Sequence, residues 1–204
     1  MTADKPYYSP ATKTRTRFTV QGSRFIATLA PADDEKIVLD IIKQVSAEFT
    51  DATHHTYAYR IGSGRAMLER SSDDREPAGT AGAPMLQVLQ GNNVSDALVI
   101  GTRYYGGTKL GIGGLTRAYR DCARQALADA NLKKKEILIK YSLQMAYEDL
   151  GSVTRLIETL QGIIIGTDYS DTVSVIVQIP ACQSEALQQG FDSACRGRGS
   201  LQKP

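Results

Sequence analysis

The stretch from Arg70 to Asn131 reads RSSDDREPAGTAGAPMLQVLQGNNVSDALVIGTRYYGGTKLGIGGLTRAYRDCARQALADAN. Its second half decides the fold. Asp96 to Thr102 is a short apolar run rich in β-branched residues, the pattern of a buried strand. It passes through Arg103-Tyr104-Tyr105 into a glycine-rich turn, Gly106 to Gly114. From Leu115 the period changes: Leu115, Ala118, Tyr119, Cys122, Ala123, Ala126, Leu127 and Ala130 alternate steps of three and one, which predicts a helix with one buried face. On another side of that helix Arg117, Arg120 and Arg124 fall at i, i+3 and i+7 and share a stripe. A helix that opens after such a turn presents free backbone N–H groups and a partial positive charge. With Lys109 beside it, this is an arrangement for a phosphate or a carboxylate.

Neither glycine motif is complete. Gly101 to Thr108 has nearly the spacing of a P-loop, but glycine stands where the lysine belongs; Gly111-Ile112-Gly113-Gly114-Leu115-Thr116 lacks the last glycine of a dinucleotide fingerprint. The plainer reading is that the glycines supply positive φ angles and close helix–sheet packing. Contact with an anion is the second reading, and the two are compatible.

The first half of the stretch carries Asp73, Asp74 and Glu76 among Ser71, Ser72, Thr80 and two prolines. Clustered carboxylates are candidate ligands for Mg²⁺, which takes one or two of them and keeps several waters. The competing reading is an acidic, helix-capping turn neutralised by Arg75. No nucleophile–base pair is readable, so no catalytic residue is assigned, and Mg²⁺ at Asp73, Asp74 and Glu76 is the one cofactor expectation.

SDDREPAGTAGAPML at 72–86, followed by RYYGGTKLGIGGLTRAY at 103–119, resembles the signature of the IMPACT family in its bacterial, YigZ-type form. SRFIA at 23–27 and HHTYAYR at 54–60 also resemble that family. The chain departs from it at Arg75, where the family commonly has glycine, and at Gly22, where it commonly has lysine. The resemblance implies an α+β protein of two domains. The N-terminal one would be similar to the fold shared by RNase PH and the second domain of a small-subunit ribosomal protein. The C-terminal one would be similar to a ferredoxin-like domain of elongation factor G. It further implies a role in regulation of translation, since eukaryotic IMPACT proteins act as translational regulators under amino-acid starvation.

The rest of the chain fits that outline. With 42% hydrophobic and 23% charged residues it is an ordinary globular composition. Residues 1–135 hold 19 Lys and Arg against 14 Asp and Glu, a net of +5, whereas residues 136–204 hold 5 against 8, a net of −3. The basic half permits a nucleic-acid contact. Cys122, Cys182 and Cys195 are far apart, with no CxxC pair, which argues against a zinc site or a disulfide framework. The absence of a signal-peptide core or a membrane-length apolar run points to the cytoplasm.

Residues 1–14 read as a flexible lead-in, 15–132 as the N-terminal domain and 133–204 as the C-terminal domain, with Lys133-Lys134-Lys135 as a solvated link. A hairpin is expected around Gln21-Gly22-Ser23, then a helix after Asp33-Asp34 with Ile37, Ile41, Val45 and Phe49 inward. A strand at 53–62 follows, in which His54 and His55 face opposite ways, then a strand at 66–70 and a two-turn helix at 84–90. Beyond Lys135 the order β-α-β-β-α-β is that of a ferredoxin-like unit.

The expected function is a cytosolic, non-enzymatic binding protein, associated with RNA or the ribosome or with a translation-related protein. A protein-interaction module without nucleic-acid contact and a Mg²⁺-dependent hydrolase or phosphoryl-transfer enzyme are the alternatives. The expected binding surface comprises Asp73, Asp74, Glu76, Thr80, Arg103, Tyr104, Tyr105, Lys109, Arg117, Arg120 and Arg124. No membrane partner is expected, and nothing in the pattern specifies an oligomeric state.

Overall fold

A computed structural model of the chain describes residues 6–64 and 67–203. It divides into two compact units, one spanning Tyr7–Lys135 and the other built on residues 136–204.

The first unit is a five-stranded antiparallel sheet of β2 (Thr14–Val20), β3 (Ser23–Pro31), β4 (His54–Ile61), β5 (Leu68–Ser72) and β6 (Ala97–Tyr104). Its strand order is β2-β3-β6-β4-β5. Strands β2 and β3 form the expected hairpin, joined by Gln21 and Gly22, both at positive φ. Two positive φ angles in a two-residue loop match the twist of the flanking strands. The central strand β6 is buried on both faces, as its unbroken apolar run requires. Ala97 and Val99 point to one side, Leu98 and Ile100 to the other.

Helices α2 (Gly82–Gly91) and α3 (Gly111–Ala128) cover the first side, and α1 (Glu35–Glu48) covers the second. The apolar stripe of α3 is the one its periodicity predicts: Leu115, Ala118, Tyr119, Cys122, Ala123 and Ala126 are all buried. Asp34 caps α1, its side chain accepting from the Ile37 N–H at 2.7 Å. The inward face of α1 departs from the expected one at a single position. Val38 is buried in place of Ile37, which stays 37% exposed. Val38 and Val45 pack on Tyr59, Leu98 and Ile100, with Ile41 and Phe49 against the same cluster as the periodicity predicts.

Two sequence expectations need correction here. Tyr7–Pro10, placed in a flexible lead-in, forms β1, and the lysine run read as a link forms β7 (Leu132–Lys135) paired with it. The reason is Asp96, buried beneath them. It accepts from the Tyr7 hydroxyl and the Lys135 ammonium, each at 2.6 Å, and from the Gly62 N–H at 2.8 Å. Those three donors outweigh burial and hold its carboxyl below the usual range. The strand expected at 66–70 begins at Leu68, and Ala66 lies outside the described residues.

The second unit is a four-stranded antiparallel sheet in the order β11-β8-β10-β9, from β8 (Leu138–Met145), β9 (Ile163–Tyr169), β10 (Val173–Pro180) and β11 (Ser200–Gln202). Helices α4 (Leu150–Thr159) and α5 (Ser184–Ala194) lie on one face, over Tyr141, Leu143, Val175, Val177 and Ile179. Chain order and sheet order together are those of the ferredoxin-like unit, so the α+β, two-domain reading holds. Among the described residues, no helix is long and apolar enough to cross a membrane.

Candidate functional site

Alternation along β6 sends every second side chain toward α3. Val99, Gly101 and Arg103 therefore share that face, and two of them build the site. A Cβ on Gly101 would fall 2.9 Å from a carbon of the Tyr119 ring. Glycine there lets the ring lie across the strand, and the Tyr119 hydroxyl then donates to Glu76 Oε1 at 2.7 Å. Arg103 Nη1 donates to the same oxygen, also at 2.7 Å, while Nη2 donates to Ser23 Oγ at 3.1 Å. The guanidinium carbon lies 5.6 Å from the centre of the Phe25 ring and 5.5 Å from that of Tyr105. Glu76, Arg103, Tyr119 and Ser23 are all buried. Burial first, then the bond to Glu76, pushes the Tyr119 phenol well above its ordinary range.

Register places His54 opposite Arg103, on the same face, with Nε2 at 3.8 Å from Glu76 Oε1 and Nδ1 at 2.7 Å from the Asp74 carbonyl. His55 turns the other way, its ring bonded to Thr102 Oγ1 and to the Phe49 carbonyl. The pair points to opposite faces, as adjacent strand residues must.

The turn after β6 is held by a close backbone approach. A Cβ on Gly106 would overlap the backbone of Gly22 and Ser23, and the Gly106 N–H donates to Ser23 Oγ at 3.2 Å. Beyond it Glu76, Pro77, Arg103, Tyr105, Lys109, Leu110 and residues of the start of α3 line an open cavity of ≈ 270 Å³. The first turn of α3 has no side-chain cap and no acidic residue.

The candidate residues fall into three groups. Glu76, Arg103, Tyr105 and Lys109 converge on the cavity. Arg117, Arg120 and Arg124 do not. They stand about 140–200° around α3 from Leu115, on the outward face. Arg117 and Arg124 are exposed and Arg120 is half-buried. Arg124 approaches Asp121 at 3.9 Å. The remaining residues serve the frame. Asp73 accepts from the N–H groups of Gly79, Ala81 and Gly82 at 2.8–2.9 Å, anchoring the start of α2. Burial raises the Asp73 carboxyl, but these backbone donors together hold it below the usual range. Asp74 accepts from the His55 N–H at 2.6 Å. Thr80 is buried and bonds the Pro77 carbonyl, and Tyr104 bonds Asp51 with Arg24 over its ring.

The acidic turn thus sends its three carboxylates to three different sets of donors. Among the described residues no group of three His, Cys, Asp or Glu side chains gathers for a metal ion. Sequence reasoning missed Ser23, which lay in a quoted motif without a role. It also took Tyr119 as core alone; a phenol on an otherwise aliphatic face was the available signal, since a buried hydroxyl needs a partner.

Residues 21–127 match the family model described as the Impact N-terminal domain, and residues 143–198 match a domain of unknown function, DUF1949. An IMPACT family member from Escherichia coli, YigZ, is 38% identical over 184 residues, covering 90% of this chain and 89% of that protein. The chain belongs to the IMPACT family. Another IMPACT family member, YvyE of Bacillus subtilis, is 28% identical over 90% of this chain and 84% of its own length. Human Protein IMPACT is 34% identical over 113 residues, 53% of this chain and 34% of that protein. A crystal structure titled as that of a hypothetical protein aligns with a TM-score of 0.66 at 34% identity, covering 98% of both chains. Ser23, His54, Glu76, Arg103 and Tyr119, which form one polar cluster beside the cavity, all lie within the residues that match the Impact N-terminal domain.

Proposed function

We propose that this chain is a non-enzymatic, cytosolic binding protein of the translation apparatus that contacts RNA through α3. The observation that carries this reading is the outward arginine stripe. Arg117 and Arg120 make no hydrogen bond or ion pair among the described residues, and Arg124 has only the long contact to Asp121. Cations without partners, spaced along one helix face in the basic unit of the chain, are the electrostatic footprint of phosphate contacts. Membership of the IMPACT family supports the translation setting. A Mg²⁺-dependent reaction at the acidic turn is the weaker reading, because Asp73 and Asp74 each serve the backbone and Glu76 serves Arg103 and Tyr119.

A protein partner is the second reading. It is favoured by the edge strand β9, where Ile163, Ile164 and Ile165 are 54%, 40% and 46% exposed. Apolar side chains grouped on an unpaired strand edge mark a place for added strands or partner surfaces.

The test is fluorescence anisotropy with short single-stranded RNA across a salt series, beside an Arg117→Ala, Arg120→Ala, Arg124→Ala variant whose fold is checked by circular dichroism. Each phosphate contact in a single strand contributes about 0.7 to the slope of log affinity against log salt. Loss of three therefore lowers the slope by roughly 2. An unchanged slope removes the stripe from RNA recognition. A stoichiometric protein partner captured in the presence of nuclease favours the second reading.

A further inference from the structure

We infer that the cavity between the acidic turn and the start of α3 binds the phosphate of a nucleoside monophosphate, free or as the end of an RNA strand. This site is separate from the arginine stripe and stands whether or not the stripe binds RNA.

Three independent features of the wall attract an anion. The first is Arg103, 4% exposed, whose Nη1 and Nη2 are taken by Glu76 and Ser23 while Nε has no partner. Buried side-chain donors are nearly always paired, and Arg103 keeps one unpaired while its side chain lines the cavity, so its positive charge is incompletely compensated there. The second is the N-terminus of the 18-residue helix α3, without a side-chain cap or an acidic first-turn residue, where Gly111 and Ile112 line the cavity. Free N–H groups there suit a phosphate oxygen. The third is Lys109, exposed at the rim without an ion pair among the described residues.

Charge chooses between a phosphate and a carboxylate. Arg103 and Lys109 less Glu76 leave +1 on the wall, and a helix N-terminus adds about +0.5. A phosphate monoester carries about −1.5 to −2 at neutral pH, which matches, whereas a carboxylate carries −1. The rest of the wall argues for a nucleoside on that phosphate. Tyr105 is 46% exposed and presents a ring on which a base can stack, and Pro77, Leu110 and Ile112 are apolar. At ≈ 270 Å³ the cavity lies just below the range of ligand clefts, roughly 300–1,000 Å³, and so suits one nucleotide.

The full chain is titrated by calorimetry with adenosine 5′-monophosphate, adenosine and inorganic phosphate. In parallel, anisotropy compares one RNA oligomer carrying a 5′-phosphate with the same oligomer carrying a 5′-hydroxyl. The monophosphate is expected to bind at least tenfold more tightly than adenosine, and more tightly than inorganic phosphate. Ile112 is 70% exposed, so Ile112→Glu sets a carboxylate at the cavity without disturbing the core, and it is expected to cost at least tenfold in monophosphate affinity. The triple arginine variant keeps full monophosphate affinity even if it loses its salt-dependent RNA binding, which separates this site from the stripe. A preference for the 5′-phosphorylated oligomer over the free monophosphate assigns the source to strand ends, and the reverse assigns it to free nucleotides. No preference for either phosphorylated ligand over its hydroxyl form overturns the proposal. So does an Ile112→Glu variant with wild-type affinity, or inorganic phosphate binding as tightly as the monophosphate.

Discussion

Arg103 and Glu76 meet at 2.7 Å with side chains only 5% and 3% exposed, and the carboxylate oxygen that takes the guanidinium also takes the Tyr119 hydroxyl. Removing one partner of a buried pair leaves an uncompensated charge and costs about 3–5 kcal/mol. Glu76→Ala is therefore expected to lose about that much stability in urea unfolding, with Glu76→Gln losing less because its amide oxygen still accepts. Replacing both partners by apolar residues, Glu76→Leu with Arg103→Met, is expected to cost less than the sum of the two single changes. Additive losses would show that the two groups act independently despite the contact.

Asp73 carries a pH prediction. Its carboxyl is lowered in the fold, against about 3.9 in an unfolded chain. The folded state therefore binds fewer protons than the unfolded one between those two values. The contribution of Asp73 is fully present above about pH 4 and is lost as pH falls through the folded value. Asp73→Asn is expected to cost about 0.5–2 kcal/mol at pH 7, the range for losing a helix-start acceptor. The gap between the two proteins narrows toward pH 2. A gap that stays constant from pH 7 to pH 2 would show that the three N–H bonds do not distinguish carboxylate from amide.

How far the sequence reaches is visible in these residues. Elements whose signal is local, such as the period of α3, the β-branched run of β6 and the Asp34 cap, were readable because a strand or helix face depends on near neighbours. The ferredoxin-like order was readable for the same reason. Strand β1 was not, because its stabilising contacts lie 89 and 128 residues away at Asp96 and Lys135. Nor was the division of the candidate site. Asp73, Asp74 and Glu76 are neighbours in sequence, yet the positive φ angles of Asp74 and Arg75 turn the three carboxylates apart. That turn also holds Arg75 at a φ of 68°, one that glycine adopts without strain.

Gly106 and Gly113 are expected to respond to alanine in opposite senses. A Cβ on Gly106 meets backbone atoms of Gly22 and Ser23, which cannot rotate away. The hairpin turn must shift, with loss of the Ser23 bond to Arg103, so Gly106→Ala is expected to cost about 1–3 kcal/mol or more. Gly113 lies within α3 with nothing within 4 Å of the added carbon, and Gly113→Ala is expected to raise stability by about 0.5–1 kcal/mol. Equal effects in thermal unfolding would contradict the close approach at Gly106.

The three cysteines separate by burial. Cys122 lies wholly inside the α3 face and burial pushes its thiol well above the usual range; burial also raises Cys195. Thiolate, not thiol, is the reacting form, so both are closed by access and by protonation alike. Cys182 is exposed, in the short turn Ala181–Gln183 that precedes α5. Under native conditions at pH 8 a thiol-specific reagent is expected to modify one cysteine per chain quickly, and all three after denaturation. Cys182→Ser removes the fast phase and leaves the slow one, which then reports opening of the two cores. Rapid modification of two or three thiols in the native protein would mean that the packing around Cys122 or Cys195 opens far more readily than their burial implies.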